Sequence, residues 1–338
     1  MAVTSLEIAP NKVQDVLSVP DIVVQPIADL RRGTVVGYEA LSRFSGGGSP
    51  VRWFQLADRV GLGAELEAMA LRAALARRSS LPSNAFLSVN VSPRHLVSAA
   101  VRRVLEAAAP LHGIVIELTE QHAVEDAEAL SEALAWLCGV GAHIALDDVG
   151  AGYAGLQWLL QFRPHFVKLD IELVRDLDRD EAKRTLVEMV GSLCGRLDMW
   201  VLAEGVERTG ELDALVSVGI PLAQGYVLGR PGPEFSELAE PIAARLRNEP
   251  RHSERSALVG AIVERSPSIS DRSALSPRMR VREGDTIASV ARRVLTRPPE
   301  HRWDNIECRD LDGSPIGVVR VERIIEMLTS SEERRSIR

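Results

Sequence analysis

Short apolar runs rich in Val, Ile and Leu recur along this chain, separated by stretches of helical period. The first two runs, residues 23–30 and 35–44, are divided only by a tight Arg31-Arg32-Gly33 turn. A parallel crossover needs about a dozen residues, so this pair predicts an antiparallel hairpin. After it the alternation is regular. Helices are expected over 53–78, up to about 109, and over 125–138, 155–161, 181–196 and 210–218. Strands are expected over 85–92, 114–120, from 143 to the Asp147-Asp148 pair, and over 166–170, 200–207 and 222–229. Runs that are apolar throughout, alternating with helices, suit parallel strands covered on their outer face. Eight such strands over roughly 200–250 residues predict an α/β fold, a (β/α)8 TIM-like barrel with an antiparallel first strand. An open doubly wound sheet is the alternative; the lack of a glycine-rich phosphate loop after the first strand counts against it.

This frame gives meaning to the polar residues that end the runs. The stretch 143–155, HIALDDVGAGYAG, closes an apolar strand with Asp147 and Asp148 and continues into a glycine loop. Alone, it reads equally well as a solvated turn, since Asp and Gly are turn residues. The other strand ends supply Gln25, Glu39 and Arg43, Asn90, Glu117 and Glu120, Lys168 and Asp170, Glu204 and Glu207, and Gln224. In a barrel the C-terminal strand ends converge on the face where active sites lie. Carboxylates crowded there repel unless a cation neutralises them. Oxygen donors with one amide and no Cys or His suit Mg2+ or Mn2+ rather than zinc. His95 and His165 fall at helix or loop positions, away from the strand ends.

Composition narrows the chemistry further. A net charge of −7 without a long basic run argues against generic nucleic-acid or membrane binding, and leaves a small phosphorylated ligand open. Cys138, Cys194 and Cys308 are too few and too dispersed for a disulfide framework or a Cys-rich zinc site. With no signal-like N-terminus and no bilayer-length apolar run, a cytoplasmic protein is expected. Of the 40 lysines and arginines only Lys12, Lys168 and Lys183 are lysine. A Lys inside an apolar strand of so Arg-rich a chain points to a need for a compact ammonium that can hold a water or phosphate oxygen. Two reaction classes fit: phosphodiester hydrolysis by two cations sharing a bridging carboxylate, and enolisation with a Lys base and Mg2+. The number of ligands favours the first.

Taken together, the motifs resemble the EAL domain, the family of cyclic di-GMP phosphodiesterases. The matching pieces are QPI at Gln25, Glu39-Ala40-Leu41 followed by Ser42-Arg43, SVNVS around Asn90 and IELTE at Glu117–Glu120. They continue with ALDDVGAGYAGL from Ala145, VKLD at Lys168, AEGVE at Glu204–Glu207 and QGYVLGRP from Gln224. The resemblance implies a first metal held by Glu39, Asn90, Glu117 and Asp147, with Asp147 bridging to a second completed by Asp148 and Glu204. It implies Lys168 positioning the attacking water with Gln224 close by, Arg43 and Gln25 at the substrate, and Glu120, Glu207 and Asp170 supporting loops and ligands. The implied cofactors are two Mg2+ or Mn2+ ions, the product is the linear dinucleotide, and the assembly is a homodimer. The family usually has Phe-Gly-Thr-Gly-Tyr-Ser-Ser after the aspartate pair; this chain has Val149-Gly150-Ala151-Gly152-Tyr153-Ala154-Gly155. That loss of hydroxyls gives the alternative, a catalytically weak receptor for cyclic di-GMP or a protein-interaction module.

Beyond the barrel the chain changes character. The expected organisation is a lead-in over 1–19, the barrel over 20–240, a charged Ser/Arg-rich linker over 241–276, a small α+β module over 277–332 and a tail over 333–338. The β-α-β-β-α order of the module, with an Asp312-Gly313 turn, resembles a single CBS motif.

Overall fold

The chain enters its fold through a hairpin. Strands β1 (Asp21–Asp29) and β2 (Thr34–Arg43) pair antiparallel, with Gln25 opposite Glu39. Asp29 closes the turn by accepting backbone N–H groups of Arg31 (2.8 Å) and Arg32 (3.0 Å), and Gly33 takes a left-handed φ of 64°. In the computed structural model, residues 19–118, 127–149, 158–159, 161–197, 199–248, 264–265, 279–295, 297, 304–310 and 313–324 are described.

Six further strands follow: β3 (Phe86–Val91), β4 (Ile114–Leu118), β5 (His143–Val149), β6 (Phe166–Leu169), β7 (Trp200–Ala203) and β8 (Leu222–Ala223). They run parallel to β2, and β1 pairs antiparallel with β8 to close an eight-stranded barrel. The expected fold class is therefore the observed one, including the reversed first strand. Helices such as Gly63–Ala76 and Ala99–Ala108 cover the outside with Leu66, Leu71, Val101 and Leu105, all buried. Each such side chain contributes about 1.5–3 kcal/mol on burial. Inside, Ile27, Phe86, Val115, Phe166, Trp200, Leu202 and Leu222 fill the lower half of the barrel. This apolar floor keeps water from reaching the polar layer above it from below.

Three local departures from the sequence pattern have physical causes. The single helix expected over 53–78 is two, Pro50–Arg59 and Gly63–Ala76. The break falls at Gly61, whose φ of 75° is open to glycine at little cost. The strands expected over 200–207 and 222–229 stop at Ala203 and Ala223. Beyond them Glu204–Glu207 and 224–229 are loops that bond to each other, through Val206 N–H to Gln224 O and Val227 N–H to Val206 O, both 3.1 Å. Gly225 makes that contact possible, because a Cβ there would lie 2.2 Å from the Val206 backbone. Finally, helix Glu240–Asn248 occupies the start of the expected linker and packs Leu246 against the barrel.

The C-terminal residues form β9 (Glu264–Arg265), β10 (Arg280–Arg282), β11 (Ile306–Arg309) and β12 (Pro315–Val319), in the order β10-β11-β12-β9, with helix Ile287–Leu295 packed by Val290 and Val294. This sheet sits against the barrel floor. Arg31 donates to Gly284 O, Arg32 pairs with Glu283 at 2.6 Å, and the Arg282 guanidinium lies 5.2 Å from the Trp200 ring centroid. Among the described residues no helix is long and apolar enough to cross a membrane.

His165 sits at this floor. Its Nδ1 accepts from Ile144 N–H at 3.1 Å, and its ring is 4.6 Å from that of His143. Burial, then the positive neighbours His143 and Arg282, hold its pKa down to about 4. The unfolded chain protonates this histidine below its ordinary 6.5 while the folded chain keeps it neutral. Stability is therefore expected to fall as pH drops from about 6.5 to about 4, by up to about 3 kcal/mol. Melting temperature measured across that range checks this; a His165→Asn variant, which keeps an acceptor for Ile144 N–H, should show a flatter acid limb.

Candidate active site

The polar layer above the apolar floor is centred on Lys168. This side chain is 1% exposed, and it is the largest of the fully buried ones among the described residues. Its Nζ lies 2.5 Å from Glu117 Oε2, 2.6 Å from Glu204 Oε1, 3.1 Å from Asp147 Oδ1 and 3.8 Å from Glu39 Oε1. The four acids come from β2, β4, β5 and the loop after β7, so barrel closure alone assembles them. An open cleft of about 310 Å³ above them is lined in part by Gln25, Leu41, Gln224 and Tyr226.

Amides hold the first carboxylate. Glu39 accepts from Asn90 Nδ2 at 2.7 Å and from Gln224 Nε2 at 2.5 Å. Gln224 also donates to Gln25 Oε1 at 3.0 Å, and Gln25 donates to Gly229 O at 2.9 Å. Gln25, like Glu39, thus arrives not from a strand end, as the sequence pattern suggested, but from mid-strand. Because β1 is reversed, register rather than chain direction brings it beside Glu39. Beneath Asn90, Glu67 accepts from Ser92 N–H (2.6 Å) and Ser92 Oγ (2.7 Å) and lies 2.9 Å from His95 Nδ1, tying the β3 exit to helix Gly63–Ala76. His95 is therefore structural, in the short helix Pro93–Leu96. The Glu67 contacts and the Gln25–Gln224 pair carry no sequence signal of their own; they require the register.

The remaining expected residues make other contacts. Arg43 ends β2 and donates to Ser42 O at 2.9 Å. Asp170 caps helix Ile171–Val174 by accepting from Glu172 N–H at 2.6 Å. Glu207 is exposed at the edge of the cleft, which it helps to line, and its N–H donates to Glu211 at 3.0 Å. Glu120, the Asp148 side chain and the loop 150–157 lie outside the described residues. A separate acidic group, Asp176, Asp178 and Glu211, already holds a cation: the Arg208 guanidinium lies 2.8, 2.8 and 2.9 Å from them.

One ammonium cannot neutralise four carboxylates. Burial opposes the charge on Glu39, but Lys168 and the Gln224 and Asn90 amides outweigh it and hold the carboxyl below its usual range. Burial pushes Glu117 well above that range, despite Lys168 and with help from Glu39, Asp147 and Glu204. Burial likewise lifts Glu204 to about 8. Burial also disfavours the Lys168 charge, yet the surrounding acids raise its pKa well above normal. The site keeps its ammonium and is still short of positive charge. An all-oxygen donor set with one amide, whose Nδ2 is engaged while its carbonyl oxygen is the stronger cation ligand, fits a hard divalent ion.

Replacing Lys168 by Met should leave the acids without their internal cation. Breaking a buried pair costs about 3–5 kcal/mol, so the metal-free variant should melt roughly 10 °C below the parent. Millimolar Mn2+ should recover more of the loss in the variant than it adds to the parent, as read by melting curves with chelator and with metal.

The EAL domain family matches residues 21–231. In Escherichia coli (strain K12), the probable cyclic di-GMP phosphodiesterase PdeN is 29% identical over 225 residues, 63% of this chain and 43% of that protein. The chain spans less than half the length of the curated relatives it matches. Among solved structures, BlrP1 of Klebsiella pneumoniae in a manganese/cy-diGMP complex is 33% identical, with a TM-score of 0.60 over 65% of this chain and 58% of that one. A standalone EAL protein from Vibrio cholerae in its c-di-GMP bound form is 27% identical, with a TM-score of 0.58 over 66% of this chain and 97% of that one. The match covers the barrel and every residue grouped around Lys168, and this chain belongs to the EAL domain family.

Proposed function

We propose that the barrel is a cyclic di-GMP phosphodiesterase that opens one phosphodiester bond to give the linear dinucleotide. The observation that carries this reading is the buried ammonium of Lys168 within 4 Å of four carboxylates at the C-terminal face of the barrel. The family relationship and the cyclic di-GMP complexes of similar structures support it.

In this reading Glu39, Asn90, Glu117 and Asp147 would hold one divalent ion, with Asp147, Asp148 and Glu204 holding a second. Mg2+ or Mn2+ bound there supplies charge neutralisation at the phosphate and lowers the pKa of water. The chain's own residues do the rest. Lys168 keeps its proton and orients a water by donating to it. Gln224 has an Oε1 without a hydrogen-bond partner among the described residues and can accept from that water. Arg43, at the end of β2, offers a guanidinium to a phosphate. Tyr226 is 49% exposed beside the cleft, with the Arg230 guanidinium 4.3 Å from its ring centroid, and presents a face on which a purine can stack. The apolar floor excludes water from below.

The altered sequence at Val149–Gly155 favours a second reading, in which the same site binds cyclic di-GMP but scarcely cleaves it. Incubation of the purified chain with cyclic di-GMP and Mn2+ or Mg2+, followed by chromatography, separates the two. The linear dinucleotide is expected, with turnover lost on chelation and reduced at least about tenfold in Glu39→Ala. Metal-dependent binding without product would establish the receptor instead.

A further inference from the structure

One polar side chain in the interior layer is claimed by none of the roles above. Ser88 lies on β3, two residues before Asn90 and therefore on the same strand face. It is 1% exposed, opposite Glu39 of β2 and Val115 of β4. Its Oγ donates to Glu117 Oε1, while Lys168 takes Glu117 Oε2 at 2.5 Å. The buried carboxylate is thus gripped at both oxygens by donors from two different strands.

We propose that Ser88 is a positioning residue for the cation site, setting the plane of the Glu117 carboxylate; this rests on the proposed metal-dependent function. The terminal torsion of a Glu side chain is broad and nearly two-fold, so one donor does not fix it. A second donor on the other oxygen does, and it leaves Oε2 in the polar layer with Asp147, Glu204 and Lys168. Without the hydroxyl, Oε1 would be an unsatisfied acceptor in a fully buried place, and the space left by one oxygen atom is too small for a water. Glu117 would then rotate, and that withdraws a ligand. Hydrogen bonds to metal ligands of this kind change metal affinity by about 10–100-fold.

The test is Mn2+ titration by isothermal calorimetry on the parent, Ser88→Ala and Ser88→Thr, with melting curves of the metal-free proteins beside it. Ser88→Ala should weaken Mn2+ binding about 10–100-fold while remaining folded. Ser88→Thr, which keeps the hydroxyl, should bind close to the parent. Equal Mn2+ affinity in Ser88→Ala and the parent would overturn the role and leave the proposed function standing. Equal weakening in Ala and Thr, with melting temperatures lowered alike, would overturn it as a packing effect. Absence of Mn2+ binding in the parent would remove the cation site itself, and with it the function proposed above.

Discussion

The structure depends on one electrostatic constraint: a single buried ammonium surrounded by more negative charge than it can balance. Bringing ions out of water costs several kcal/mol each. Here that cost is met by contacts of 2.5–3.1 Å between Lys168 and three of its four acids, with the ammonium itself buried. The remaining deficit is a standing demand for a cation. A lysine serves this arrangement better than an arginine, since a compact charge can touch several carboxylates at once without the planar geometry of a guanidinium.

Holding such a cluster open needs rigidity from every side. From below, Phe86, Phe166 and Trp200 form a floor, the two phenylalanine rings 5.3 Å apart. Around the rim, amides rather than charges hold Glu39. Above β7 and β8, the loops that carry Glu204 and Gln224 lock onto each other through backbone hydrogen bonds. The second layer of contacts, Glu67 with Ser92 and His95, anchors the exit of β3 where Asn90 stands. The polar residues are therefore placed by packing before any ligand arrives.

Much of this was legible in the chain because apolar runs and strand ends are one-dimensional features. Lys168 stands out as a lysine inside an apolar strand, and Glu117, Asp147 and Glu204 stand out at or near the ends of such runs. What stayed hidden was whatever depends on register. Ser88 and Ser92 look alike in SVNVS, yet one faces Glu117 and the other Glu67. The sequence pattern puts Gln25 at a strand end, whereas its place comes from facing Glu39 across a reversed strand. The ends of β7 and β8 were overextended because valine and leucine continue past them; Gly225, against the Val206 backbone, marks where the ladder gives way to interlocked loops.

The reversal of β1 also sorts what can be attached to the barrel. Asp21 pairs with Arg43, so the chain enters at the mouth, beside the cleft, whereas an all-parallel barrel would begin at the floor. After β8 the chain returns through helix Glu240–Asn248 to the floor, where Gly33 meets Ala243 and the C-terminal sheet meets Arg31 and Arg32. The two termini of the barrel therefore address opposite ends of one channel of strands. A domain fused ahead of β1 would act as a neighbour of the substrate. One fused behind would speak to it from the floor, through the hairpin whose turn it grips and whose strands carry Gln25 and Glu39, and through Trp200 of β7 beneath Arg282.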